Sequence, residues 1–304
     1  MDDDGKLVRF ARDRVKGALF GWKYRDVERM EAGQGNDFIA QCIRWGKPFY
    51  AGRCGATEMR CMAEYLRHGG EERHFSARIR REMRNLSGMF PTDDETLARF
   101  CALYAEAAQH ATLLALWDVG AERQVIRGCT DTRFTALRAL EPYYHGQPWS
   151  AALAGKRVLV VHPFADTIRT QYQKRAQIFQ NRAILPDFAS LTVLPAVQGL
   201  GGRETGYGSW FDALAAMEAA IDRTPFEVAI IGAGAYGLPL AAHCAKIGRQ
   251  AVQMAGATQL LFGIEGKRWD DHPFIGKLYN DAWVRPAPAE TIPNREAVEG
   301  GSYW

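Results

Sequence analysis

Glu227-Val-Ala-Ile-Ile-Gly232-Ala-Gly234-Ala-Tyr-Gly237-Leu-Pro-Leu is the stretch of this 304-residue chain that decides its fold. The apolar run before Gly232 predicts a buried parallel strand, and the residues after Gly237 predict a helix. Glycines at this spacing permit a tight turn, a close approach of ligand to backbone at Gly234, and close packing of helix on strand. Free N–H groups at such a helix start attract phosphate. The candidate ligand-binding residues of the turn are Gly232, Gly234, Ala235, Tyr236 and Gly237. The same glycines also serve plain strand–helix packing, so both interpretations stay open at this point.

An NAD site makes a further demand, and this sequence does not meet it. NAD enzymes carry an acidic residue about 20 positions after the glycines, at the end of the next strand, where it binds the ribose hydroxyls. The next predicted strand here ends at Met254, and residues 255–259 contain no Asp or Glu. The arginine that NADP needs does not come before Arg268. We therefore expect no NAD, and a Rossmann oxidoreductase using NAD(P) is the alternative function.

The rest of the chain agrees with an α/β fold. Strand and helix patterns alternate in the second half, which predicts a Rossmann-like, mostly parallel sheet with flanking helices, preceded by a helical N-terminal part. We predict a single domain over residues 1–304. It divides into a mainly helical part (1–112), a Rossmann-like core (113–266) and a tail that wraps over the core (267–304).

Composition excludes some classes of partner. The 38 Lys and Arg residues nearly balance the 35 Asp and Glu residues, so there is no electrostatic footprint for nucleic acid. The basic run from Arg73 to Arg84 is interpreted as a solvated helix face, with a surface for anionic lipid or a polyanionic acceptor as the alternative. The six cysteines form no CxxC pair and indicate reduced thiols, so we expect a cytoplasmic protein.

Membrane contact is expected to be peripheral at most. No apolar run is long enough to span a bilayer. Residues Leu7 to Trp22 predict an amphipathic helix that packs on the core, with a membrane-surface element as the alternative. A homodimer is expected only because dimers are the commonest oligomers.

The ends of the predicted strands supply the candidate catalytic residues, because ligands of open parallel sheets bind there. Arg53 and Glu58 flank Gly55 at one strand-to-helix turn. They are interpreted either as a phosphate and metal site or as a helix-start ion pair. Asp166 follows another strand and is preferred to His162 as a general base, although an Asp there more often caps the next helix. Gln259 lies after the last clear strand.

Several blocks of the second half resemble a poorly characterised bacterial family that occurs with surface-polysaccharide biosynthesis functions. The blocks are Val158-Leu-Val-Val-His-Pro-Phe-Ala-Asp-Thr-Ile168, Gly234-Ala-Tyr-Gly-Leu-Pro-Leu240, Ala257-Thr-Gln-Leu-Leu-Phe-Gly-Ile264 and Glu299-Gly-Gly-Ser-Tyr-Trp304. The resemblance implies a role in glycan assembly.

The turn Arg53-Cys-Gly55-Ala-Thr-Glu58 resembles the signature of glycosyltransferases with the GT-D fold, Arg-aromatic-Gly-Asp-Gly-Glu. The resemblance implies that this turn holds a sugar-nucleotide diphosphate, with Mn²⁺ or Mg²⁺ as a candidate cofactor at Glu58. Ala56 stands where the signature has Asp, and one carboxylate binds a divalent cation more weakly than two. Binding of a metal by Glu58 together with phosphate oxygens, and no metal at all, therefore both stay open.

Together these features predict a sugar-nucleotide-dependent glycosyltransferase that acts on a glycan or lipid-linked acceptor. Cations and backbone donors would stabilise charge on the departing diphosphate. The candidates are Arg53, the amides of 234–237, Lys267 and Arg268. Asp166 or Glu58 would accept the proton of the acceptor hydroxyl. A non-catalytic partner in a glycan-assembly complex is the third hypothesis, which Ala56 keeps open.

Overall fold

A seven-stranded parallel sheet forms the centre of the computed structural model, which describes residues 19–67 and 74–304. The strands are β1 (Phe49–Arg53), β2 (Leu113–Leu116), β3 (Arg133–Ala136), β4 (Arg157–His162), β5 (Ser190–Pro195), β6 (Val228–Ile231) and β7 (Gln250–Gln253). Their order is β3-β2-β1-β7-β6-β4-β5, and every neighbouring pair is parallel. The predicted α/β class with a parallel sheet is confirmed.

Two of the helices begin at a capping serine. Ser76 Oγ accepts from the backbone N–H of Ile79, and Ser209 Oγ accepts from that of Asp212, each at a helix start. The helices of the described residues are α1 (Ala32–Trp45), α2 (Ala56–Arg67), α3 (Ala77–Leu86), α4 (Asp94–Gln109), α5 (Glu122–Val125), α6 (Ala165–Gln173), α7 (Arg175–Ile178), α8 (Trp210–Asp222), α9 (Gly237–Lys246) and α10 (Thr258–Leu261).

Each face of the sheet carries its own hydrophobic core. Successive strand residues point to opposite faces, so Val158 belongs to one core and Leu159 to the other. Helices α2, α4, α8 and α9 cover the face that contains Leu159. Helix α1, helix α6 and the chain after residue 257 cover the opposite face, where Trp283 and Ile275 are buried. Burial on both faces explains the continuous apolar runs of the strands.

The strand order places a switch point in the middle of the sheet. The chain leaves β1 for β2 and β3 on one side, then returns to β4 and β5 on the other side, and finally fills the gap with β6 and β7. Ligands of open parallel sheets bind in the crevice outside the carboxyl ends of the strands at such a point. The crevice here lies at the carboxyl ends of β1, β7, β6 and β4.

The structure differs from the sequence prediction in two elements. The sequence pattern predicts one helix from Thr167 to Asn181, but α6 spans Ala165–Gln173 and the separate short helix α7 follows it. Strand β3 was not predicted. Most of the predicted opening helix Leu7–Trp22 lies outside the described residues. Within the described ranges, no helix combines the length and the apolarity needed to cross a bilayer.

Candidate functional site

A pocket of about 160 Å³ lies at the carboxyl ends of β1, β4, β6 and β7. Its lining includes seven of the residues that the sequence nominates, namely Arg53, Gly55, Glu58, Gly232, Gly234, Gln259 and Arg268, together with Trp117, His162, Gln253, Glu299, Tyr303 and Trp304. A wider surface depression of about 720 Å³ lies near Asp26 and Arg123. The charges of those two side chains pair with each other at 2.5 Å, so the strand-end pocket is the better candidate.

The turn after β1 folds the carboxylate of Glu58 back over Gly55. A Cβ atom at Gly55 would lie 1.9 Å from Oε2 of Glu58, so only glycine leaves room for this conformation. The hydroxyl of Ser87 donates to Oε1 of Glu58 at 2.7 Å, and the backbone N–H of Gly55 donates to the hydroxyl of Tyr104 at 3.0 Å. Burial raises the pKa of Glu58, while Ser87 and the charge of Arg53 oppose that rise. Glu58 is therefore a desolvated carboxyl group held in one place.

Arg53 is available to bind an anion. Its guanidinium stacks on the ring of Trp117 at 4.7 Å, and it makes no ion pair within residues 19–67 and 74–304. The indole N–H of Trp117 donates to the carbonyl of Cys54 at 2.8 Å, which fixes the ring beside the turn. The helix-start ion pair between Arg53 and Glu58, one of the two interpretations of this turn, does not form in the structure.

The three glycines of the second turn have different surroundings. A Cβ at Gly232 would lie 2.6 Å from His162 and from Thr258, so this position is closely packed. Gly234 has a positive φ of 53° and open space where a Cβ would point. Gly237 packs against Gln253 of β7. Of the three, Gly234 combines an open backbone with a place in the pocket lining.

Two other residues nominated in that turn face the interior. Ala235 and Tyr236 are buried and do not line the pocket. The ring of Tyr236 stacks on Trp210 at 4.5 Å, in the core under α8. Their side chains therefore pack into the core and support the turn from the interior.

His162, at the end of β4, is a neutral hydrogen-bond donor at the pocket. The backbone N–H of Phe164 donates to Nδ1 at 3.0 Å, so the ring proton resides on Nε2. Burial lowers the pKa of His162 to about 3. Nε2 makes no hydrogen bond to another of the described residues. Such a group can donate to a phosphate or hydroxyl oxygen at any pH near neutrality.

Asp166 does not join this group. Its side chain is 80% exposed and pairs with Arg169, one turn along α6. It also does not cap α6, because Glu290 reaches in from the tail and accepts the backbone N–H of Asp166 at 2.7 Å and the hydroxyl of Thr167. Asp166 is absent from the pocket lining.

The C-terminal segment, residues 295–304, forms one wall of the pocket. Backbone bonds tie it to the loop after β7, from Arg268 N to the carbonyl of Ser302 at 3.0 Å and from Lys267 N to that of Trp304 at 3.3 Å. The guanidinium of Arg268 donates to the hydroxyl of Tyr303 at 3.0 Å, so Arg268 lines the pocket while holding this wall. Lys267 donates to the carbonyl of Gly300 at 3.2 Å and does not line the pocket.

Gln259 leaves a hydrogen-bond acceptor unused. Its amide nitrogen donates to the carbonyls of Glu265 at 3.0 Å and Tyr303 at 3.1 Å, while Oε1 is buried and has no partner among the described residues. A buried carbonyl oxygen without a donor is costly. A hydroxyl or N–H group of a ligand would satisfy it.

Glu141 is a titratable group that the sequence analysis missed. Burial raises the pKa of Glu141 to about 7, against the opposing charges of Arg53, Arg138 and Arg268. It lies between two short 3₁₀ helices, and a single Glu before a proline gives no functional signal in the sequence. A carboxyl group that titrates near neutrality beside two pocket arginines is a candidate for modulating anion binding.

No family model matches the chain, and no curated protein matches it. The chain is similar to a solved structure described as the selenomethionine-substituted structure of domain of unknown function 1792. The TM-score is 0.49 and the sequence identity 11%, over 89% of this chain and 96% of that one. A likeness this distant says nothing about chemistry. Membership of the polysaccharide-associated family stays a prediction.

Proposed function

We propose that the protein is a sugar-nucleotide-dependent glycosyltransferase that acts in glycan assembly. One observation carries the proposal: the guanidinium of Arg53, which forms no ion pair with another described residue, lines one pocket together with the buried carboxyl of Glu58 and the open backbone of Gly234, at the switch point of the sheet. The first two residues belong to the turn that resembles the GT-D signature.

The proposed donor site needs groups that stabilise a departing diphosphate. Negative charge grows on the leaving phosphate as the bond to the sugar breaks, and preorganised cations or N–H groups lower the energy of that state. Arg53 supplies a cation, and the backbone at Gly234 and Nε2 of His162 supply neutral donors. Stacking on Trp117 restricts the guanidinium of Arg53, so less freedom is lost when it binds phosphate.

The proposed base is Glu58. Transfer requires the acceptor hydroxyl to lose its proton, and a carboxylate works best when its pKa approaches the working pH. Burial moves the pKa of Glu58 in that direction. Asp166, the other candidate from the sequence, is 80% exposed, pairs with Arg169 and does not line the pocket.

The residues present do not fit a divalent cation well. Glu58 and Glu299 are the two carboxylates that line the pocket, and Glu299 lies 3.7 Å from the guanidinium of Arg268. No group of three side chains with ligating chemistry occurs among the residues described. The proposed mechanism therefore assigns no step to a metal.

A donor is larger than this pocket. Sites for small ligands usually measure about 300–1,000 Å³, against about 160 Å³ here. We choose the C-terminal segment as the wall that yields, because two backbone hydrogen bonds, from Lys267 and Arg268, join it to the loop after β7. We propose that this segment moves outward when the donor binds.

A thermal-shift panel tests the proposal with UDP, GDP, CMP, dTDP and NAD(P), each with and without Mn²⁺. A ligand that binds only the folded state raises the melting temperature. Stabilisation by one nucleotide that Arg53→Gln abolishes would support the transferase and identify the donor class. Stabilisation by NAD(P) alone would favour the oxidoreductase, and nucleotide binding without sugar transfer would favour the non-catalytic partner.

A further inference from the structure

A second concave surface, the arginine cleft, lies beside the pocket and has no assigned role. One part of it measures about 550 Å³ and is lined by Arg84 and Arg203, with Phe90, Pro91 and Tyr207. The adjoining part measures about 470 Å³ and is lined by Arg80, Arg81, Arg84, Asn85, Thr92 and Gly201. Helix α3 forms one wall, and the glycine-rich loop 199–206 forms the other.

Close backbone packing builds this cleft. A Cβ at Gly199 would lie 2.7 Å from the carbonyl oxygen of Gly88, so these glycines let the loop contact the end of α3. Gly202 adopts a positive φ of 74°, and a Cβ there would lie 3.0 Å from Nε of Arg84. The loop therefore carries Arg203 to the same cleft as Arg84.

The charges of the cleft are largely unneutralised. The side chains of Arg81, Arg84 and Arg203 make no hydrogen bond or ion pair within residues 19–67 and 74–304. Arg80 differs, since it donates to the carbonyl of Phe75 and pairs with Asp94 at 2.5 Å. Glu204 is the one carboxylate in the described lining.

The cleft adjoins the pocket along both walls. Leu86, two residues after Arg84, lines the pocket, and Ser87 donates to the carboxylate of Glu58. Leu200, on the opposite wall, also lines the pocket, and Gly199 and Gly201 line the cleft. A molecule that spans both would have one end at Glu58 and the other among the arginines.

We infer that the arginine cleft binds the phosphate or diphosphate group of the acceptor. Guanidinium groups bind phosphate oxygens through paired hydrogen bonds, and Arg81 and Arg84 lie three residues apart on one side of α3. The acceptor hydroxyl would then reach Glu58. The inference rests on the proposed function for the identity of the ligand, but phosphate binding at the cleft can be measured without any nucleotide.

The test measures binding of inorganic pyrophosphate by calorimetry in an Arg53→Gln, Arg268→Gln background, which removes the pocket arginines. Adding Arg81→Gln and Arg84→Gln should weaken the remaining binding by about tenfold per arginine. Arg44→Gln with Arg223→Gln removes the same charge from exposed helix ends outside the cleft and should leave binding unchanged. Circular dichroism verifies that every variant is folded.

Equal pyrophosphate binding with and without Arg81 and Arg84, or none in the starting background, would overturn the inference. Co-sedimentation with phosphatidylglycerol vesicles, compared with phosphatidylcholine vesicles, distinguishes two sources of the phosphate. Binding to the anionic vesicles that needs the two arginines indicates a lipid-linked acceptor. Pyrophosphate binding without vesicle binding indicates a free phosphorylated acceptor. The nucleotide panel is independent of both results.

Discussion

The substitution Glu58→Gln tests whether the carboxylate of Glu58 is catalytic or only structural. The substitution keeps the size of the side chain and the oxygen that accepts from Ser87, so the turn over Gly55 can persist. It removes the negative charge and the ability to accept a proton. A general base contributes about 10²- to 10⁴-fold to a rate, equivalent to about 3–5 kcal/mol of transition-state stabilisation. Sugar transfer should fall by that factor.

The free energy of unfolding of Glu58→Gln should not fall with its activity. Burial raises the pKa of Glu58 above its ordinary value of 4.5, so in the interval between the two values the folded state binds a proton that the unfolded state does not. The free energy of unfolding of the wild type therefore falls as pH rises through that interval, by up to about 1.4 kcal/mol per pH unit. Glu58→Gln lacks this loss and should be at least as stable as the wild type at pH 7.5.

Urea denaturation at several pH values and a transfer assay with the donor found in the panel measure both effects. Glu64→Gln, on the same helix, is the matched control. Glu64 accepts from Ser76 N at 2.9 Å and from its hydroxyl at 2.8 Å, outside the pocket. The control should lose about 1 kcal/mol of stability and no activity. Wild-type activity in Glu58→Gln, or a loss of more than about 2 kcal/mol in its stability, would refute the reasoning.

Three further changes test the pocket. Gly232→Ala should lower the free energy of unfolding in urea by about 1–3 kcal/mol through overpacking, because the methyl group would lie 2.6 Å from His162. Gly234→Ala meets open space and should cost about 1–2 kcal/mol through its positive φ, yet it should weaken nucleotide binding in calorimetry. Nucleoside diphosphate binding should weaken as pH rises through about 7, because the pKa of Glu141 is about 7 and its carboxylate then competes with the diphosphate for the charge of Arg53. The variant Glu141→Gln should bind equally well in titrations at pH 6 and pH 8.

The fold was predictable where local pattern and burial coincide. Strand β6 and its glycine turn could be recognised because a continuous apolar run ends at glycines with distinct packing roles. Strand β3 carries a charged Arg133 at one end and lies at the edge of the sheet, so its four residues have no distinctive pattern. The interruption of the helix at Lys174 has no Gly or Pro to signal it.

The candidate site was predictable only in the part that follows strand ends. Arg53, Glu58 and Gly234 come directly after strands, where the parallel topology brings ligand-binding residues together. The wall formed by Tyr303 lies far along the chain, and the capping of α6 by Glu290 joins residues that are 124 positions apart. Contacts at such separation leave no local pattern, which is why Asp166 was overvalued.

Gln253 gives a physical reason to prefer an anion site to a dinucleotide site in the proposal for this glycine turn. It ends the strand that follows the turn, where an NAD enzyme carries its ribose-binding acid. Its Oε1 instead accepts the backbone N–H of Arg53 at 2.9 Å, and it is 3% exposed. Cβ atoms at Gly52 and Gly237 would lie 2.8 Å and 3.1 Å from this side chain, so both glycines make room for it. An acid at this position would place an uncompensated charge in that slot. The amide joins β7 to β1 without charge and holds Arg53 where a phosphate can reach it.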